Sequence, residues 1–210
     1  DGSCAGNYPD NGDYVLEFDG VDDWVQISDS VPPSLELQNQ ITIETWINPS
    51  EYPPELGLIV GCQSASNSIA SGYALHFDGR LNPDGQNAPI GHIHFQIGDG
   101  NWHTTNSNSS LPLNQWVHVA VTRTANNDAN IYYNGELQIS TSIDWDGTIT
   151  YEGSEFTIGK MAPIYRYFDG YINETRIWDR ALSQEEIQSN MVLKLNGDEE
   201  GLVGYWKFGS

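Results

Sequence analysis

The stretch ITIETWI, residues 41–47, decides the fold because apolar and polar side chains alternate along it. Ile41, Ile43 and Ile47 fall on one face of an extended chain, whereas Glu44 and Trp46 fall on the other. Alternation over seven residues predicts a β-strand, because a helix would repeat its apolar positions every three to four residues.

Working outward from this stretch, nearly every apolar segment has the character of a strand, and Asn-Gly at 134–135 is a strong hairpin signal. The predicted strands are Tyr14–Phe18, Trp24–Ile27, Leu58–Gly61, Tyr73–Phe77, His92–Ile97, Trp116–Arg123, Ile131–Tyr133, Glu136–Ile139, Phe156–Ile158, Tyr171–Trp178 and Leu202–Phe208. One helix is predicted, Ser183–Val192, with Ser183 as its cap. Long polar loops are predicted at 62–72, 78–91, 98–110, 124–130 and 144–154. We therefore expect an all-β fold: an antiparallel two-sheet β-sandwich with one short helix, forming a single domain over residues 1–210.

The charge is strongly acidic: 8 Lys and Arg stand against 29 Asp and Glu, which gives a net charge of −21. Such a surface repels nucleic acid and anionic membranes. It suits divalent cations or neutral partners such as glycans, or it serves solubility alone. No apolar run is long enough to span a bilayer, so membrane insertion is not expected.

The two cysteines, Cys4 and Cys62, lack the spacing of a zinc or redox site. A disulfide between them is predicted, which favours an extracellular protein, and two free thiols are the alternative. The sequence starts at Asp1 without a leader, so we expect a module of a longer secreted or cell-surface protein whose other domains are among its partners.

Several motifs in order resemble one family. They are LEFDGVDDWVQI, ITIETWINP, LPLNQWVHVAVTR, IYYNGEL, FTIG and FDGYINETRIWDRALSQEEI. Over residues 14–193 the chain resembles the laminin-G-like, concanavalin A-like jelly rolls, and residues 201–210 resemble a closing strand or the start of a following module. The resemblance implies two antiparallel sheets, carbohydrate or protein recognition, and often a bound calcium. A more distant resemblance to pentraxins does not extend to their ligand site, because the loop at 160–163 has no carboxylate.

A calcium site is implied at the first hairpin. Asp19, Asp22 and Asp23 lie within five residues, and oxygen ligands are what calcium requires. In the family, the first hairpin and the late strand hold the ion together, which implies Asp19 or Gly20 with Asp22 and Asn173. The alternative is a solvated acidic turn.

A ligand surface is predicted where aromatic residues occur in Gly-, Asn- and Asp-rich loops. Indole and phenol rings stack on sugar rings, and neighbouring polar groups orient the hydroxyls. The predicted binding residues are Asp99, Asn101, Trp102, His103, Trp145, Tyr165, Arg166 and Tyr167. Packing under a long loop is the alternative for each aromatic.

A second aromatic set follows from the strand phases. If Ile43, Val119 and Ile177 point inward, the outward set is Glu44, Trp46, Trp116, His118, Glu174, Arg176 and Trp178. These residues form either a sugar platform or a structural layer in which a glutamate pairs with Arg176. The structural layer is favoured, because the family carries these residues across members of varied function.

The sequence thus favours a non-catalytic, lectin-like carbohydrate-binding module stabilised by calcium. The alternatives are a structural or protein-docking module of a surface adhesin array, and a glycoside hydrolase. The hydrolase has weak support, since residues 17–22 match the Glu-x-Asp-x-x-Glu pattern only in part. His92 and His94 share a strand face, but the sequence offers them no third metal ligand.

Overall fold

A computed structural model describes residues 15–64, 70–81, 88–143, 145, 147–161 and 166–208. The strands are β1 (Leu16–Asp19), β2 (Val25–Ser28), β3 (Ile41–Pro49), β4 (Leu56–Ser64), β5 (Ala70–Asp78), β6 (His92–Gly100), β7 (Trp102–Asn106), β8 (Val117–Arg123), β9 (Asp128–Tyr133), β10 (Glu136–Ser142), β11 (Ser154–Ile158), β12 (Lys160–Met161), β13 (Arg166–Tyr167), β14 (Asp169–Trp178) and β15 (Leu202–Trp206). The helix α1 spans Gln184–Asn190, and a 3-10 turn spans Pro33–Leu35.

Two large antiparallel sheets face each other. The seven-stranded sheet has the order β1-β14-β3-β8-β9-β10, with β15 also paired to β14, and the six-stranded sheet has the order β2-β11-β4-β5-β6-β7. The ribbon of β12 and β13 contacts β4. This arrangement confirms the predicted jelly-roll sandwich with one short helix.

The main core fills the space between the two sheets. Ile43, Val119 and Ile177 point inward from the seven-stranded sheet, as predicted, and each is 0% exposed. Leu75 and Phe95 belong to the same core cluster from the six-stranded sheet. Alternation therefore leaves each sheet with a second, outer face.

The outer face of the seven-stranded sheet is a buried charged layer. The Arg176 guanidinium lies 2.7 Å from Glu174 and 3.5 Å from Glu44, and it also donates to the carbonyls of Asn190 and Leu193. Trp178 donates its indole N–H to Glu44 at 3.1 Å. These side chains form a structural layer, because their polar atoms bind one another and the segment that follows α1.

The helix α1 begins with the predicted cap. The Ser183 hydroxyl accepts from the Glu186 amide, and the Glu186 carboxylate accepts from the Ser183 amide, which is a capping box. Ile187 is a residue of α1, and its side chain is buried. Among the described residues, no helix is long and apolar enough to cross a membrane.

Three of the predicted loops overlap the observed strands by three or more residues each. The predicted loop 98–110 contains β7, because Gly100, with a φ of 109°, allows a tight hairpin that returns the chain beside β6. The ends of 62–72 belong to β4 and β5, and 124–130 contains the start of β9. The sequence analysis assigned these strand ends to loops because their residues are mostly polar or small.

Cys62 lies in β4 and is 0% exposed. Burial raises the pKa of its thiol to about 12, which disfavours the thiolate form. It is free among the described residues, and Cys4 lies outside them, so the disulfide remains a prediction.

Candidate functional site

An open groove runs between β7 and β10, the last strands of the two sheets, and we call it the edge groove. One half has a volume of about 540 Å³ and is lined by Asp99, His103, Asn126, Asn127, Ser142, Ile143 and Trp145. The other half has a volume of about 490 Å³ and is lined by His103, Thr104, Thr105, Ile139, Thr141, Ser142 and Ile143. The lining therefore combines hydroxyl, amide, imidazole and carboxylate groups with one indole.

Asp99 is the organising residue of the edge groove. Its Oδ1 accepts from His103 Nε2 at 3.2 Å and from the Asn101 amide at 3.1 Å, and its Oδ2 accepts from the Trp145 indole N–H. Partial burial raises the pKa of Asp99, but these three hydrogen bonds outweigh it and hold the pKa below its ordinary value. The groove thus presents a fixed carboxylate that is ionised at neutral pH.

Trp145 is buried, as in the alternative in which the aromatic packs under a loop. Its side chain is 7% exposed, because Arg123 stacks 4.4 Å above the ring and His103 packs 5.8 Å away between ring centroids. The indole N–H is already bonded to Asp99. Trp145 therefore supports the groove from below and cannot offer a broad stacking surface.

Trp102 and His103 point in opposite directions, because adjacent residues of a strand face opposite sides of the sheet. Trp102 pairs with Gly98 and is 39% exposed on the outer face of the six-stranded sheet, whereas His103 faces the edge groove. The structure thus separates two neighbouring predicted ligand residues.

The remaining predicted ligand residues lie elsewhere. Arg166 and Tyr167 form β13, next to β4, and Arg166 pairs with Glu55 at 2.9 Å. In the six-stranded sheet β4 is three strands from β7. Tyr165 lies outside the described residues. The structure therefore joins Asp99, His103 and Trp145 at the edge groove, with Asn101 bonded to Asp99 through its backbone amide, and leaves Trp102, Arg166 and Tyr167 apart from it.

Sequence reasoning missed the polar residues that the groove takes from the seven-stranded sheet. Asn126 and Asn127 lie between β8 and β9, and Thr141 and Ser142 end β10. The signal that could have found them is the Asn-rich composition of 124–130, but only the pairing of β9 with β10 brings these residues opposite β7.

The acidic turn after β1 gathers three exposed carboxylates. Asp19, Asp22 and Asp23 each offer an oxygen, and these oxygens lie within 4.8 Å of one another. The Asp19 carboxylate accepts from the amides of Val21 and Asp22, and these hydrogen bonds lower its pKa. The turn can hold a hard cation, although its hydrogen bonds also stabilise it as an ordinary turn.

The residue opposite Asp19 is Asp169, not Asn173. β1 pairs with β14 so that Asp19 lies across from Asp169, and a Cβ built on Gly20 would come within 2.9 Å of Asp169 Cβ. Asn173 is buried four residues further along β14, roughly 13 Å away at the usual rise of a strand. The structure therefore places Asn173 away from this turn, because the register of β1 with β14 sets Asp169 opposite Asp19.

The outer face of the six-stranded sheet carries a buried polar cluster. Asp78 and His92 are directly paired across β5 and β6, as are His76 and His94. All four are at most 2% exposed. Burial lowers the pKa of His92 and lowers that of His76 more strongly. Asp78 supplies the third potential metal ligand that the sequence alone did not reveal for His92 and His94.

The partial hydrolase pattern lies on a strand edge. Glu17 is exposed on β1 and accepts from the Tyr171 hydroxyl at 3.0 Å, and Asp19 begins the acidic turn. These carboxylates do not line the edge groove.

Comparison with known families places the chain in one class. The laminin G family described as the concanavalin A-like lectin/glucanases superfamily matches residues 19–188, and the chain belongs to this superfamily. No curated protein matches the sequence.

Solved structures share the fold at low identity. A candidate carbohydrate-binding protein from Bacteroides ovatus is 23% identical, with a TM-score of 0.69 over 92% of this chain and 50% of that chain. This chain therefore spans about half the length of that protein. The heptameric SAP-like pentraxin of Limulus polyphemus is 17% identical, with a TM-score of 0.64 over 92% of this chain and 88% of that one. Domain 4 of an extracellular arabinanase from Geobacillus stearothermophilus, in complex with arabinotriose, is 19% identical, with a TM-score of 0.58 over 90% of this chain and 86% of that one.

Proposed function

We propose that this domain is a non-catalytic carbohydrate-binding module of a secreted or cell-surface protein, and that the edge groove holds the glycan. The observation that carries the proposal is the Asp99 cluster, in which His103 and Trp145 both bind one carboxylate at the wall of an open groove. Sugar hydroxyls require fixed donors and acceptors, and the groove supplies them from both sheets.

The comparisons support this proposal by analogy. The arabinanase domain is in complex with an oligosaccharide, and the Bacteroides ovatus protein is a candidate carbohydrate binder. Proteins that share a fold often differ in function, so the chemistry of the edge groove supports carbohydrate binding more strongly than the shared fold does.

The number of carboxylates that line the edge groove favours binding without catalysis. Retaining glycoside hydrolysis uses two carboxyl groups about 5–5.5 Å apart. Asp99 is the one carboxylate among the described residues that line the groove, and both of its oxygens are engaged in hydrogen bonds. Asp144 and Asp146 lie outside the described residues.

A glycan array followed by calorimetry on the best ligand tests the proposal. Asp99→Asn keeps the size of the side chain and removes its charge, and we expect about tenfold weaker binding, as for one lost charge-assisted hydrogen bond. Trp102→Ala is the matched control for an aromatic on the opposite face, and we expect unchanged affinity. Binding that is lost in Trp102→Ala and kept in Asp99→Asn would place the glycan on the outer sheet face instead.

Calcium is proposed as a stabilising ion at the acidic turn. Asp19, Asp22 and Asp23, with Asp169 opposite, fit the donor set because calcium takes six to eight oxygens, and four nearby carboxylates repel one another without a cation. When bound, the ion would neutralise this charge and tie β1 to β14.

Thermal unfolding with calcium and with EDTA tests the ion. We expect calcium at about 100 times its dissociation constant to stabilise the domain by about 2.7 kcal/mol. Asp169→Asn should reduce this effect, whereas Asn173→Asp should not increase it. Calcium-dependent stability with no glycan bound across a broad array would favour a structural or protein-docking module.

A further inference from the structure

The outer face of the six-stranded sheet contains a cluster with the chemistry of a transition-metal site. Asp78, His92 and His94 each offer one ligand atom, all within 4.8 Å of one another, and all three side chains are buried. His92 Nε2 lies 3.4 Å and His94 Nδ1 lies 4.0 Å from Asp78 Oδ2. Ligands bound at about 2.1 Å to a tetrahedral ion lie about 3.4 Å apart, so small shifts would complete the geometry.

An unpartnered nitrogen points into this cluster. His92 is 0% exposed, and its Nε2 makes no hydrogen bond to another described residue, with Asp78 Oδ2 3.4 Å away. Its Nδ1 lies 2.7 Å from the carbonyl of Pro89, which can only accept, so Nδ1 carries the proton and Nε2 carries the free lone pair. The lone pair faces Asp78, where a cation would bind both groups.

The second imidazole, His94, lies between two side-chain amides. His94 Nε2 lies 3.1 Å from Gln96 Oε1, and a proton on Nε2 would direct the Nδ1 lone pair toward Asp78 once Nδ1 gives up its contact with Asn106. Asn106 Oδ1 lies 2.6 Å from that Nδ1, while Asn106 Nδ2 has no hydrogen-bond partner among the described residues. Rotating this amide by 180° would place its N–H groups at Nδ1 in the empty cluster. Outer-sphere acceptors that fix the tautomer of each histidine are characteristic of metal sites.

We propose that Asp78, His92 and His94 form a binding site for Zn²⁺ or a similar first-row transition ion, separate from the edge groove and from the acidic turn. Two imidazole nitrogens and one carboxylate are ligands that zinc prefers, whereas calcium prefers oxygen alone. The three protein ligands leave a fourth position for water or an added ligand.

Arg80 competes with the ion for Asp78. Its guanidinium binds the carboxylate through Nε at 3.0 Å and Nη2 at 2.6 Å, and its side chain is 34% exposed. A bound divalent cation would lie close to this positive charge, which opposes binding. Arg80→Gln keeps all three ligands and removes the charge, so we expect it to bind Zn²⁺ roughly fivefold or more tightly.

Calorimetry with Zn²⁺ on the tag-free, EDTA-treated protein tests the site at neutral pH. We expect a single tight equivalent in the wild type, a loss of about 10- to 100-fold or more in His92→Gln and in Asp78→Asn, and a gain in Arg80→Gln. His103→Gln removes an imidazole outside the cluster and should leave the affinity unchanged. Calcium in excess should not displace the ion.

Cobalt provides a second readout for variants that fold poorly. Co²⁺ in the wild type and in Arg80→Gln should give visible absorption bands of a low-coordinate site, and His92→Gln should not. Absence of Zn²⁺ binding by the folded wild type would overturn the proposal, and so would equal binding by His92→Gln and the wild type. Weaker binding by Arg80→Gln would also contradict the geometry.

Discussion

The central parts of the outer faces of both sheets are buried and polar, yet the polar groups of the two faces are hydrogen-bonded to different extents. On the seven-stranded sheet, Arg176 lies between Glu44 and Glu174 and also binds the segment after α1. Among the described residues of the six-stranded sheet, both polar side-chain atoms of Gln63 and of His76 lack a hydrogen-bond partner, whereas on the seven-stranded sheet only single atoms do, such as Glu44 Oε2 and Arg176 Nε. Buried polar atoms without partners destabilise a fold, so this difference is consistent with a stabilising role for the first face and with the ion site proposed on the second.

The largest effect should come from breaking the charged layer. Arg176→Ala leaves two buried carboxylates without their cation, and we expect the free energy of unfolding to fall by about 3–5 kcal/mol in urea titrations. Arg180→Ala is the matched control, because its pair with Glu186 is partly exposed and worth about 0–1 kcal/mol. Equal losses in the two variants would show that the layer contributes no more than a surface ion pair.

A smaller effect should appear in the pH dependence of the stability that the charged layer contributes through Glu44. Burial alone would raise the pKa of Glu44, but His118 on β8 and Arg176 and Trp178 on β14 outweigh burial and lower the pKa below 4.5. A lowered pKa means that Glu44 contributes stability above its ordinary pKa, and that this contribution disappears as the pH falls through the lowered value.

Glu44→Gln should therefore be less stable than the wild type by about 1.5–3 kcal/mol at pH 7, and the gap should close as the pH falls well below 4.5. Urea unfolding at a series of pH values measures the gap. Glu51→Gln, at an exposed position, should show a gap near zero throughout. A gap for Glu44→Gln that stays constant on acidification would contradict the assigned charge.

The fold was predictable because its strongest signals are local. The alternation in β3 and the inward phase of Ile43, Val119 and Ile177 were both confirmed. β7 was missed because WHTTN lies between Gly- and Ser-rich segments, and its pairing with β6 depends on the hairpin at Gly100. Local patterns identify a strand well when its side chains are apolar and poorly when they are polar.

The candidate sites were only partly predictable, since they depend on which strands lie side by side. Asp99 and His103 were identified from loop composition, but burial of the Trp145 ring follows from Arg123, which comes from another strand. Asp78 precedes His92 by a long loop and meets it through the register of β5 and β6. A single sequence carries no local signal for either contact.

The smallest expected effect is a change in the free energy of unfolding when a buried polar side chain is replaced by an apolar one. This change should have opposite signs on the outer faces of the two sheets. Gln63→Leu removes two buried amide atoms that have no partners, and we expect it to stabilise the metal-free protein by about 1 kcal/mol. Thr42→Val is the matched change on the seven-stranded sheet, where the hydroxyl donates to the Arg180 carbonyl at 2.7 Å and accepts from the Leu182 amide at 2.9 Å. It should cost about 1 kcal/mol, because it removes a satisfied group and leaves its partners buried. The urea midpoints of both variants measure the contrast. If Gln63→Leu destabilised the protein, ordered water would already satisfy this amide in the free protein. The distinction between the two faces would then disappear.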